Sequence, residues 1–263
     1  MKMVKNILLG LTAAALVIGF ASCKQADDPK DAIDGSGNKY SIDHENTDAE
    51  NYRAYKSTSL KHSGALVKVK FDKKDVGLSK MGVIFDLHAN TANKDAKDFW
   101  IIGLGTSSDT NFYVSKFTNV TDIQAKNFGT ELKDNPAKEV EKVPLTSANS
   151  IVVPAAATDG SVSYYVYFKG FKEGYYEWAV LSTTDEVAAN IKIKDATITS
   201  LKGTTGVVVL KSGTISEAFA AVDADSKIPQ NQLAVYAMVS GKTTLKGSWN
   251  YLGMFNEAEE IEE

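Results

Sequence analysis

From residue 52 onwards, apolar and polar residues alternate in short runs, the pattern of half-buried β-strands. Gly, Asn, Asp and Ser separate the runs, and these residues favour turns. The predicted strands are 64–71, 81–88, 99–105, 111–117, 161–168, 174–181, 190–193, 196–201, 206–213, 214–219, 232–239 and 243–252. Many short strands with few helical signals predict an all-β fold, a two-sheet antiparallel sandwich or jelly roll in a single domain over residues 52–256. The stretch 118–150 lacks this alternation and is predicted to be a long excursion or a short helix over one face.

The segment 161–181 is regular enough to predict the register of a hairpin. Because side chains alternate between faces, two sets follow for its first strand: Val162, Tyr164, Val166 and Phe168 towards the core, and Ser163, Tyr165, Tyr167 and Lys169 outwards. A five-residue loop over 170–174 gives the predicted pairs Lys169 with Tyr175, Tyr167 with Glu177, Tyr165 with Ala179, Phe168 with Tyr176, Val166 with Trp178 and Tyr164 with Val180. Trp178 is assigned to the core. A slip of one residue would exchange the two faces.

This register predicts a candidate ligand surface of Tyr165, Tyr167, Tyr175 and Glu177 on the outer face. Flat aromatic rings beside polar groups suit the binding of sugars. The alternative is that these tyrosines only make cross-strand pairs, or that the 118–150 excursion covers them.

The N-terminal 22 residues have the features of a secretion signal. Lys2 and Lys5 precede an apolar run of 14 residues, Ile7 to Phe20, and Cys23 is the only cysteine of the chain. A helix needs roughly 20 apolar residues to cross a bilayer, so this run is too short for a permanent span.

Phe20-Ala21-Ser22-Cys23 resembles the bacterial lipobox, although the lipobox usually has Leu, Val or Ile where this chain has Phe20. The resemblance implies a signal peptide at 1–22 and diacylglycerol and N-acyl chains on Cys23, which would anchor the protein in a membrane. Lys24 after the cysteine is compatible with sorting to the outer membrane. The alternative is cleavage after Ala21, which would release a soluble protein with a free thiol.

Composition separates the two ends of the chain from its centre. Residues 24–50 contain eight acidic residues and three lysines, which predicts a disordered acidic tether over 23–51, and 257–263 is an acidic tail. The formal net charge is −4 and becomes −6 when Lys2 and Lys5 are removed. This negative charge argues against nucleic acid as a partner.

The segments G-V-I-F-D-L (82–87), F-W-I-I-G-L (99–104), N-F-Y-V-S-K-F (111–117) and Q-L-A-V-Y-A-M-V (232–239) resemble successive strands of the concanavalin A-like lectin and glucanase sandwich. Laminin G-like and carbohydrate-binding modules show similar strands. With its anchor and tether, the whole chain resembles spirochaetal, treponemal-type surface lipoproteins. The resemblance implies an envelope protein at the outer membrane or cell surface that binds glycan or host matrix.

The chemistry of an enzyme is missing from the sequence. Glucanases of this sandwich class carry a Glu-x-Asp-x-x-Glu strand that holds two carboxylates about 5 Å apart, and no such strand is present. His44, His62 and His88 lack the spacing of metal ligands, and Asp223 and Asp225 lack the rest of a calcium loop. Asp86 and His88 are expected to share an outward face as a surface pair.

These observations predict a protein that is not an enzyme, with no metal and no cofactor beyond the lipid on Cys23. The leading hypothesis is binding of carbohydrate or host matrix. The alternative is a structural role, in which the sandwich docks on another envelope protein. A hydrolase is the least favoured hypothesis.

Overall fold

A computed structural model of the protein describes residues 32–49, 51–106, 112–121, 138–142, 151–215 and 231–256. Strands in two antiparallel sheets account for most of these ranges. Sheet A contains, in spatial order, β1 (Ile33–Ser36), β2 (Lys39–Glu45), β13 (Thr244–Phe255), β4 (Gly64–Phe71), β9 (Val162–Phe171), β10 (Tyr175–Ser182) and β11 (Val208–Ile215). Sheet B contains β3 (Tyr52–His62), β12 (Asn231–Val239), β5 (Lys80–Ala89), β6 (Lys97–Leu104), β7 (Tyr113–Val120) and β8 (Lys138–Lys142). The predicted all-β, two-sheet antiparallel sandwich is confirmed.

The main core lies between the two sheets, where alternate side chains of each strand meet. Its largest fully buried members include Trp100, Trp178, Trp249, Tyr164, Tyr251, Phe71, Phe85 and Phe168. The rings of Phe85 and Phe168 stack across the sandwich with their centroids 4.8 Å apart. Trp178 is 1% exposed and belongs to this core, as the alternation predicted.

The sandwich begins earlier than predicted, because two strands lie inside the segment assigned to the tether. β1 pairs with β2, and β2 pairs with β13. Ile33, Tyr40 and Ile42 are at most 4% exposed in the main core. The acidic composition of this segment is real, but Asp34 and Asp43 lie on exposed positions between the apolar ones. The predicted boundaries of the tether at 51 and of the domain at 52 are therefore wrong.

The 161–181 hairpin keeps its predicted faces with a register shifted by two residues. Trp178 lies opposite Phe168 rather than Val166, and Glu177 lies opposite Lys169 rather than Tyr167. The loop is the three residues between Phe171 and Tyr175, not five, because β9 continues to Phe171. A shift of two residues leaves every side chain on its predicted face, since the period of a strand is two.

Two predicted strands, 190–193 and 196–201, are not strands. After β10 the chain forms two short helices, α1 (Asp185–Ala189) and α2 (Ile198–Gly203). The Thr197 side chain accepts from the Ser200 backbone and the Ser200 side chain accepts from the Thr197 backbone, so a capping box begins α2. Residues 183–207, here called the helical segment, cross the outer face of sheet A. The predicted 118–150 excursion lies largely outside the described residues, apart from the end of β7 and the strand β8.

Candidate functional site

The predicted ligand surface on the outer face of sheet A is covered by the helical segment. Tyr165 is 2% exposed and Tyr167 is fully buried, and both pack with Leu201. The Tyr165 hydroxyl donates to Asp185 Oδ1 at 2.6 Å, and the Tyr167 hydroxyl donates to the Ala196 carbonyl at 2.9 Å. The expectation that these two tyrosines are exposed is therefore wrong, and the covering segment is 183–207 rather than 118–150.

The charged neighbours of these tyrosines also bind the helical segment. A Glu177 carboxylate oxygen accepts from the backbone nitrogen of Ile198 at 2.8 Å, at the start of α2. Lys169 donates to the carbonyl oxygens of Lys194 and Ala196. Burial lowers the pKa of Lys169. These polar groups hold the helical segment on the sheet.

Tyr175 is half-buried and is the only one of the three predicted tyrosines that is not fully buried. Its ring stacks on Phe171 with centroids 4.7 Å apart and an interplanar angle of 8°. The predicted site is therefore divided: Tyr165, Tyr167 and Glu177 contact the helical segment, and Tyr175 lies at the end of the hairpin.

The other predicted positions fall partly outside the described residues. Cys23, Asp223, Asp225 and the 257–263 tail lie outside them, so the lipid anchor stays a prediction. No helix within the described ranges has the length and apolar character that a membrane span requires. In those same ranges, no three His, Cys, Asp or Glu side chains come together in a way that could hold a metal ion.

Asp86 and His88 lie close together as expected, with His88 Nδ1 3.9 Å from Asp86 Oδ1, but Asp86 is not on the surface. A bulge in β5 lies between Phe85 and His88, and it turns the Asp86 side chain inwards, where it is fully buried. The Tyr176 hydroxyl lies 3.3 Å from Asp86 Oδ1, and His88 Nδ1 lies 2.7 Å from the Asp86 carbonyl oxygen. Asp86 has φ +55°, an uncommon conformation for a residue with a side chain. The bulge explains why a strict alternation from Met81 misplaces this carboxylate.

The outer face of sheet B carries a cluster that local alternation along the chain does not predict. One row across five strands contains Tyr55, Tyr236, Gly82, Gly103 and Tyr113. A Cβ atom built on Gly103 would lie 2.5 Å from Tyr113 Cζ, so the Tyr113 ring lies directly over this glycine. The missing side chain of Gly103 lets the ring lie flat along the sheet. The hydroxyls of Tyr113 and Tyr236 are hydrogen-bonded to each other.

Two cations occupy the neighbouring row of the same face. Met238 of β12 lies opposite Arg53 of β3 on one side and opposite Lys80 of β5 on the other. The Lys80 ammonium lies 4.9 Å from the centroid of the Tyr113 ring, a cation–π distance. Arg53 is hydrogen-bonded to Tyr236. We call Arg53, Lys80, Tyr113 and Tyr236 the phenol–cation cluster.

Burial determines the electrostatics of this cluster. Lys80 is 8% exposed, and burial, with the charge of Arg53 as a second cause, lowers its pKa to about 8. Burial also raises the pKa of Tyr113 and Tyr236, so both phenols stay neutral and able to donate at physiological pH. The cluster thus combines hydrogen-bond donors, positive charge and a half-buried aromatic ring on a rigid sheet. Such a combination can bind a polar ligand that also has an apolar face.

Comparison with known proteins gives matches only in structure. No protein-family model matches the chain, and no curated protein matches it. The chain is similar to the legume lectin-like domain from Entamoeba histolytica, with 13% identity and a TM-score of 0.40 over 84% of this chain and 87% of that one. It is also similar to the apo Crh5 transglycosylase, with 11% identity and a TM-score of 0.37 over 86% and 79% of the two chains. A third similar structure is the Bacillus licheniformis β-glucanase, with 10% identity and a TM-score of 0.36 over 84% and 80%.

These comparisons correct one prediction. The missing catalytic carboxylates predicted a protein that is not an enzyme. Two of the similar sandwiches are a transglycosylase and a β-glucanase, so the prediction of a protein that is not an enzyme, which rested on the missing Glu-x-Asp-x-x-Glu strand, does not stand. At such low identities the similarity concerns the fold alone.

Proposed function

We propose that the protein is a lipid-anchored protein of a bacterial envelope, with Cys23 as the anchor, and that its sandwich binds carbohydrate through the outer face of sheet B. The observation that carries the second part is the phenol–cation cluster. Sugars offer many hydroxyl groups for hydrogen bonding and an apolar ring face, and the cluster offers donors beside the Tyr113 ring.

The position of the cluster supports this assignment. Its four residues come from four strands, β3, β5, β7 and β12, so their backbone is held by the hydrogen bonds of one sheet. Groups on rigid elements are placed more accurately than groups on loops. Tyr113 and Arg53 are half-buried. Tyr236 is 1% exposed and is hydrogen-bonded to both of them.

Glycan-array binding by the full mature lipoprotein in detergent tests the carbohydrate function. We expect wild-type protein to bind at least one glycan, Tyr113→Ala to lose that binding, and Tyr175→Ala to retain it. Tyr175 is the matched control because it is an accessible tyrosine on the other sheet. If the wild-type protein binds none of the glycans on the array, the proposal of carbohydrate binding is overturned. Binding that survives Tyr113→Ala in a folded protein would overturn the site.

The anchor has its own test. Metabolic labelling with palmitate followed by detergent-phase partitioning is expected to label the wild-type protein and place it in the detergent phase. Cys23→Ser should abolish the label and move the protein to the aqueous phase, because the acyl chains supply the membrane affinity. An unlabelled wild-type protein would favour cleavage after Ala21. Protease treatment of intact cells then tests the proposed location at the cell surface.

A further inference from the structure

Over the described ranges, the two cations of the phenol–cation cluster lack the carboxylate partners that two lysines of sheet A have. On sheet A, Lys68 pairs with Asp185 at 2.7 Å and Lys246 pairs with Asp43 at 2.6 Å. Among the described residues, no carboxylate pairs with Lys80 or Arg53. The charge that acts most on Lys80 is that of Arg53, which repels it.

The hydrogen-bonding capacity of this pair is also incompletely used. The buried Arg53 Nε has no hydrogen-bond partner within the described part of the chain. The Lys80 ammonium contacts the face of an aromatic ring, an interaction much weaker than a full ion pair in a buried site. A buried cation such as Lys80 is costly without a counter-charge, and a second, half-buried cation on the same face adds to that cost unless an anion neutralises them.

We propose that Arg53 and Lys80 bind an anionic group, the carboxylate of a uronic acid or a sulfate ester, on the carbohydrate ligand. This inference rests on the proposed carbohydrate function and names the class of sugar. Arg53 and Lys80 are separated by the single strand β12, which places their Cα atoms roughly 10 Å apart, two strand spacings. Both side chains are long enough to converge on one group above Met238.

The chemistry of the site suits an anion in two ways. An anion placed between the cations replaces their mutual repulsion with two attractions, and the low exposure of Lys80 strengthens both. The guanidinium of Arg53 has a free donor at Nε and is hydrogen-bonded to Tyr236 elsewhere, so its plane is already oriented. A neutral sugar would leave both charges uncompensated.

Binding of charge-matched ligand pairs tests the inference. The probes are oligogalacturonate with its methyl ester, dextran sulfate with dextran, and polyglutamate as an anion that is not a sugar. Affinities of the mature lipoprotein are measured by calorimetry at fixed salt. We expect one anionic sugar to bind roughly 30-fold more tightly than its neutral partner, and Lys80→Met and Arg53→Gln each to remove this preference. Lys246→Met, which alters an exposed ion pair on sheet A, should retain it.

The outcomes separate this inference from the proposed function. Preference for oligogalacturonate identifies a carboxylate, and preference for dextran sulfate identifies a sulfate ester. Equal affinity for charged and neutral sugars would overturn the inference and leave carbohydrate binding in place. A preference that survives Lys80→Met would overturn the assignment to this cluster. Equally tight binding of polyglutamate would overturn the sugar as ligand and leave an anion site, and no binding of any probe would overturn the inference.

Discussion

The Lys80 ammonium lies 4.9 Å from the centre of the Tyr113 ring on a sheet face where no described carboxylate pairs with it. Without a bound ligand, the buried charge of Lys80 therefore destabilises the folded protein. We expect Lys80→Met to raise the free energy of unfolding by about 1–3 kcal/mol, because methionine keeps most of the apolar stem and removes the buried charge. Urea denaturation measures this change. Lys246→Met, at an exposed ion pair, should leave the stability nearly unchanged. A marked loss of stability in Lys80→Met would contradict an unpaired Lys80.

The same lysine makes stability depend on pH. In the folded protein the pKa of Lys80 falls from 10.5 to about 8. Between these two values the unfolded chain binds more protons at this position than the folded protein does, so stability rises with pH there. The facing groups are Arg53, Tyr113 and Tyr236, and burial raises the pKa of both tyrosines, so neither phenol ionises between pH 7 and 9.5.

Comparing wild type with Lys80→Met isolates the contribution of Lys80 to the pH dependence of stability. We expect the stability advantage of Lys80→Met over wild type to be largest at pH 7 and to shrink as pH rises above about 8. Urea unfolding at pH 7, 8, 9 and 9.5 measures it. An advantage that stays constant with pH would show that Lys80 has an ordinary pKa.

Gly103 makes room for the Tyr113 ring. Gly103→Ala would place a Cβ atom 2.5 Å from Tyr113 Cζ, so the ring must move and the contact between the Tyr113 and Tyr236 hydroxyls is lost. We expect a loss of about 1–3 kcal/mol in unfolding free energy and weaker glycan binding. Gly203→Ala is the control, because no atom outside its own helix backbone and chain neighbours lies within 4 Å of its Cβ position. If Gly103→Ala destabilises the protein by displacing the Tyr113 ring, the double variant Gly103→Ala/Tyr113→Ala should lose less unfolding free energy than the sum of the losses of the two single variants.

The helical segment depends on polar contacts with the sheet beneath it. Tyr167→Phe removes the 2.9 Å hydrogen bond to the Ala196 carbonyl, which keeps the longer bond from Lys169 at 3.3 Å, so the change should cost about 0.5–1.5 kcal/mol. We expect faster hydrogen exchange and faster proteolysis within residues 183–207. Tyr175→Phe should change neither rate, since Tyr175 stacks on Phe171 and does not contact this segment through its hydroxyl in the described structure. Equal rates in wild type and Tyr167→Phe would show that the Tyr167 hydrogen bond does not hold the segment.

Because β1 and β2 belong to the sandwich, substitutions in this acidic segment should change the free energy of unfolding. Ile42→Ala should cost about 2–4 kcal/mol, because Ile42 is 3% exposed in the main core. Ser41→Ala, an exposed position on the opposite face, should be near neutral. Thermal or urea unfolding distinguishes the two. An Ile42→Ala protein as stable as wild type would mean that β2 contributes little to the sandwich.

Local alternation determined much of this fold. The strand β4 was predicted with its observed bounds, and the faces of Tyr164, Tyr165 and Trp178 were assigned correctly despite the shifted register. This is possible because a side chain's face depends only on its parity along the strand. The Asp86 bulge marks the limit of such reasoning, since one additional residue reverses the parity locally.

The amino-acid sequence by itself determined that this chain forms strands with an apolar and a polar face, because that property repeats every two residues. Only the tertiary structure decided what covers each face and which residues meet on it. The helical segment covers Tyr165 and Tyr167 from about 20 to 30 positions further along the chain. The phenol–cation cluster joins Arg53, Lys80, Tyr113 and Tyr236 from strands far apart in sequence. Such contacts depend on which strands pair across the sheet, and strand pairing is set by burial over the whole domain rather than by any local pattern.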